Sequence, residues 1–111
     1  MKEEQGFKRV ENVELVAVPR ESWHRLRFPA YQRKPTVHKV RDIAAGLRDG
    51  YIPAPIILYA DDGAYEIVDG GHRFLAYRQN YEQHGISADI PALIYDRTAI
   101  DQCRTFVLEN N

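Results

Sequence analysis

Apolar and polar positions along this chain follow two distinct periods. Val13 to Val18 is a short β-branched run that reads as a first strand, ended by Pro19. Residues 19 to 35 show neither period, and Pro29 and Pro35 disfavour helix on either side of Tyr31-Gln32-Arg33, so this stretch is expected to be irregular. From Thr36, a candidate N-cap, the spacing lengthens. Val37, Val40, Ile43, Ala44 and Leu47 fall on one helical face, predicting a helix to about Arg48 that Gly50 terminates. His38, Lys39, Arg41 and Asp42 then lie largely on its solvated faces.

Pro55 to Tyr59 and Tyr65 to Val68 read as paired strands joined at Asp61-Asp62-Gly63, a hairpin signal. An Asp69-Gly70-Gly71 turn follows, then a helix from about His72 to Gln83 with Phe74, Leu75, Tyr77 and Tyr81 inward and Gly85 beyond its end. Ile90 to Tyr95 is a further strand. Thr98 caps a predicted last helix in which Ile100, Phe106, Val107 and Cys103 face inward. Residues 1–10 read as a flexible N-terminus and 11–111 as one domain.

The strand-to-helix turn carries the candidate chemistry. Glycines at 70 and 71 permit positive φ and close approach of a ligand to the main chain. The free amides of a helix start favour anions, yet this helix opens with His72 and Arg73, which oppose its macrodipole. An anion, above all phosphate, reconciles these features. Arg73 offers a planar fork to phosphate, and His72 a donor or a base near neutral pH. Asp69 beside phosphate calls for a bridging Mg²⁺, unless it is an Asx turn or a helix cap.

Composition narrows the field. At 111 residues with 44% hydrophobic content, the chain is long enough for one core. The single cysteine, Cys103, forms no internal disulfide, which suits a reducing cytoplasm, and no apolar run is long enough to span a membrane. The histidines and Cys103 lack zinc-ligand spacing. Net charge is −1, but Arg20 to Arg41 holds seven basic residues and one acid. That segment could present a basic face, with Arg27 and Lys34 as nucleic-acid contacts, or its arginines could pair with acids elsewhere in the fold.

Val68-Asp69-Gly70-Gly71-His72-Arg73-Phe74 resembles the Asp-Gly-x-His-Arg signature of the ParB/sulfiredoxin superfamily, as does the upstream order of Tyr31-Gln32-Arg33, helix and Pro55-led strand. The resemblance covers about residues 11 to 111. It implies a small α/β (α+β) domain with a mixed sheet and about three helices. It further implies a nucleoside triphosphate, ATP or CTP, held by Gly70, Gly71, His72, Arg73 and Arg33, with Mg²⁺ through Asp69. Where sulfiredoxins carry a reactive cysteine before His-Arg, this chain has Gly71, which argues against sulfinic acid reduction. ParB proteins usually carry Gly-Glu-Arg-Arg at this turn, so the CTP-driven clamp is not supported. Glu109-Asn110 resembles the start of a motif that ParB-like proteins continue into further helices, so either the protein is a minimal member or a C-terminal domain is missing.

Three functions follow. The first is a nucleotide-binding domain in a DNA-linked process (plasmid, phage or DNA modification), touching the DNA backbone. The second is an enzyme of this fold, an ATP-dependent phosphotransferase or nuclease with His72 and Asp69 in the chemistry. The third is an inactive module that binds a protein partner. Fold alone does not choose among them.

Overall fold

In the computed structural model, residues 13–30 and 34–96 are described. Arg33, Cys103, the predicted last helix, the Glu109-Asn110 pair and the N-terminal residues lie outside that range. The chain forms β1 (Val13–Val18), a 3-10 helix (Arg20–Arg25), β2 (Leu26–Arg27), α1 (Val37–Arg48), β3 (Ile56–Asp61), β4 (Ala64–Asp69), α2 (Gly71–His84) and β5 (Ile90–Tyr95). The five strands make one mixed sheet in the order β1-β5-β3-β4-β2. β1 runs antiparallel to β5 and β3 antiparallel to β4, whereas β5 is parallel to β3 and β2 to β4.

Alternation along the strands decides which face is dry. Ile56 and Leu58 of β3, Ile67 of β4, Ile90 and Ala92 of β5 and Val18 of β1 are buried in one core with Phe74 and Tyr77 of α2. The far face carries the alternate residues, where Leu15 pairs with Leu93 and remains two-thirds exposed. α1 packs along α2 through a smaller cluster of Val40, Ala44 and Ala76. Val37, expected on the apolar face, is 76% exposed at the first turn of α1.

The stretch after Pro19 is not irregular as the prolines suggested. It turns through a 3-10 helix that buries Trp23, whose Nε1 donates to the Val18 carbonyl (3.2 Å) and whose ring meets Phe74 and Tyr81 edge-on. Leu26 and Arg27 then pair with Tyr65 and Glu66 of β4. A two-residue strand has no period to read, and only the waiting edge of β4 creates it. The hairpin turn forms as expected, with Asp62 (φ 47°) and Gly63 (φ 84°) both in the left-handed region that such tight turns require.

Candidate functional site

The site lies where β4 ends and both long helices begin. Near its end β4 carries one residue more than β3: Leu58 pairs with Ile67, but Ile57 pairs with Asp69, leaving Val68 as the extra residue of a bulge. The alternation of Tyr65 and Ile67 is therefore interrupted, and the Asp69 side chain is 72% exposed. Gly70 follows at φ 99°, a conformation that glycine adopts without penalty. A Cβ there would also stand 2.7 Å from Ile56 Cγ2 and 2.9 Å from Arg73 Nη2. Both conformation and space demand glycine at 70.

Arg73 is held more tightly than a free phosphate ligand would be. Its side chain is 18% exposed; Nη1 donates to the Ala54 carbonyl (3.0 Å) and Nη2 to Asp69 Oδ2 (3.2 Å). The fork thus ties the first turn of α2 to the approach to β3. Asp69 makes an ion pair one turn along and stands one residue before the N-cap position of α2, which Gly70 occupies. Tyr77, the next turn on, has its hydroxyl pKa raised by burial, opposed by the charge of Arg73.

His72 faces the other helix. Its Nε2 accepts a hydrogen bond from the Thr36 amide (3.1 Å), leaving the ring proton on Nδ1. Further along, Asn80 Nδ2 donates to the Ala44 carbonyl (3.0 Å) and Asn80 Oδ1 accepts from Arg48 (2.7 Å). These contacts join start to start and end to end, so α1 and α2 run side by side in the same direction. Their N-termini are neighbours. Neither has a side-chain cap bond or an acidic residue in its first turn; α1 opens with His38 and Lys39, α2 with His72 and Arg73. Two positive dipole ends, with no acid inside either first turn and the nearby Asp69 carboxylate paired with Arg73, repel each other and attract an anion.

Sequence reasoning found the turn and its cations. It did not find Thr36 as the partner of His72, the Ala54 carbonyl or Asn80, because each is a contact between distant segments with no local pattern. The basic segment is partly neutralised inside the fold. Arg27 pairs with Asp61, Arg25 donates to the Gly63 carbonyl (3.1 Å) and lies over Tyr65, and Arg20 lies over Tyr81. Lys34 is exposed. Among the described residues no three His, Cys, Asp or Glu side chains converge to hold a metal. Asp69 fits Mg²⁺ only as one ligand beside phosphate oxygens, the usual manner of that ion. No helix among the described residues is long and apolar enough to cross a membrane.

By sequence, no family model and no curated protein matches the chain. By structure, it superposes on sulfiredoxin from Arabidopsis thaliana with TM-score 0.57 and 22% identity, over 80% of this chain and 94% of that one. The chromosome-partitioning protein ParB from Caulobacter crescentus, complexed with CTP-gamma-S, matches with TM-score 0.51 and 19% identity, over 76% of this chain and 44% of that one. SbnI from Staphylococcus aureus matches with TM-score 0.53 and 19% identity, over 79% of this chain and 32% of that one. The chain therefore spans nearly the whole of the sulfiredoxin but less than half of the other two. The five-stranded mixed sheet and three helices of the described residues, together with these superpositions, give the chain a ParB/sulfiredoxin-like fold.

Proposed function

We propose that this protein binds the phosphates of a nucleoside triphosphate, ATP or CTP, at the paired starts of α1 and α2, in a DNA-linked process. One observation carries the reading: two neighbouring helix N-termini, with no side-chain cap bond and no acid in their first turns, bridged by the Thr36 amide and His72 Nε2. A phosphate seated between them takes over the Thr36 amide and accepts from the first amides of α2, while the freed imidazole turns its Nδ1 proton to the ligand. Arg73 acts as a positioning residue, fixing the turn through Ala54 and Asp69 rather than gripping phosphate with both prongs. That a ParB of this fold is complexed with CTP-gamma-S adds support.

The test is a thermal-shift and calorimetric screen of ATP, CTP and inorganic tripolyphosphate, with Mg²⁺ and with EDTA. A ligand binding only the folded state at a hundred times its Kd stabilises by about 2.7 kcal/mol. His72→Ala is expected to weaken binding. Absence of any shift at millimolar ligand removes the reading, and equal binding in EDTA leaves Asp69 solely as the partner of Arg73.

A further inference from the structure

We propose that anion binding at the paired helix starts is coupled to uptake of a proton by His72, so that acid strengthens the site and the neutral imidazole competes with the ligand for the Thr36 amide. The inference rests on the phosphate reading above and adds how that site is regulated.

The Thr36 amide donates to His72 Nε2 (3.1 Å), a bond that exists only while that nitrogen carries a lone pair. It spans 36 positions of sequence and joins the N-cap residue of α1 to the first turn of α2. The first bonds within each helix are Val40 N–H to the Thr36 carbonyl (3.1 Å) and Phe74 N–H to the Gly70 carbonyl (2.9 Å). The amides of residues 37–39 and 71–73 therefore have no acceptor within their own helices. Neutral His72 thus occupies an amide that an anion would use, between two positive dipole ends.

Protonation of Nε2 reverses its role. An imidazolium donates from both nitrogens and accepts at neither, so the Thr36 amide is released. Water can reach it there, since Thr36 is exposed and His72 half-buried. Among the described residues, the charged and titratable groups on the α1 side are Lys34 before the helix and His38 and Lys39 in its first turn. On α2 itself they are Arg73 and its partner Asp69 (3.2 Å). Neither first turn contains an acid. Without a ligand, a proton on His72 gives up the Thr36 bond and adds a charge beside two positive dipole ends. With an anion seated there, the same proton supplies a charge-assisted donor to it. The proton therefore binds more tightly when the anion is present, and by reciprocity the anion binds more tightly when the proton is. Imidazoles in general change charge between about pH 5 and 8, so the coupling operates near neutrality.

Titration calorimetry of the full chain with tripolyphosphate, in pairs of buffers of different ionisation enthalpy, gives both the Kd and the protons taken up on binding. His72→Gln is the comparison, because its amide oxygen can accept from Thr36 but takes no proton in this range. Proton changes of tripolyphosphate itself are common to both proteins and cancel between them. The wild type is expected to bind about tenfold tighter than His72→Gln at about pH 5.5, the scale of one charge-assisted hydrogen bond, and to lose most of that advantage by about pH 8. Near neutrality it is expected to take up more protons per ligand than the variant. His38→Gln is expected to keep this pH dependence. In the ligand-free protein at about pH 8, imidazole 15N NMR is expected to place the ring proton of His72 on Nδ1 and leave Nε2 bare. A ratio of wild-type to His72→Gln affinity that does not change with pH overturns the coupling while leaving the phosphate site standing. So does loss of the dependence in His38→Gln, or a proton on Nε2 at the higher pH. If tripolyphosphate binds at neither pH, the phosphate reading and the coupling fall together.

Discussion

Gly70 is where backbone conformation and side-chain space make the same demand. Its φ of 99° penalises any L residue, and a methyl group there would overlap Ile56. Gly70→Ala is expected to lower stability by about 2–4 kcal/mol, combining a left-handed backbone cost with overpacking of the core. Urea denaturation measures it directly. Arg73 makes a different demand. Its side chain is mostly buried but both donated bonds face solvent, so Arg73→Ala should cost about 0.5–1.5 kcal/mol in the same assay. Arg73→Lys keeps the charge but loses the fork, and should recover only part of that loss. The Asp-Gly-Gly-His-Arg run stands out in the sequence as a candidate site because its residue types conflict with their local context. The acceptors of Arg73 were not legible, since the Ala54 carbonyl has no signature of its own and lies nineteen positions away.

At the level of elements, α1, β1 and β5 could be read almost residue for residue, because each has a clear period and a proline, glycine or polar boundary. What periodicity cannot show is direction. The parallel course of α1 and α2 follows from two polar contacts, Thr36 with His72 and Asn80 with the Ala44 carbonyl. Asn80, on a helix predicted to bury only Phe74, Leu75, Tyr77 and Tyr81, is 4% exposed and bonded to both Ala44 and Arg48. Removing its amide strands buried polar groups on α1. Asn80→Ala is expected to cost about 1–3 kcal/mol, seen as a lower midpoint of thermal unfolding. Asn80→Asp should not restore it, since a carboxylate cannot donate to the Ala44 carbonyl.

For the whole molecule, the surplus of basic residues between Arg20 and Arg41 is weaker outside than on paper. Arg25 and Arg27 are tied to the β3–β4 hairpin, and Arg20 lies over Tyr81. The DNA-linked part of the proposal therefore predicts weak, non-specific retention on duplex DNA. Its log–log salt slope should be about −0.9 per phosphate, and Lys34→Glu should flatten the slope by about one unit. No retention at low salt removes the DNA contact and leaves the proposed nucleotide site unaffected. The strand order has another consequence, for the time course of folding. β5, the last of the described strands along the chain, lies between β1 and β3, so among the described strands β1 has no neighbour in the sheet until residues 90–95 have been synthesised. The hairpin, both long helices and every described residue of the proposed phosphate site precede that moment, but the core beneath them closes only when Ile90 and Ala92 arrive. The pairing of residues 13 and 95 that this order requires is long-range, the kind of contact that slows the folding of small domains.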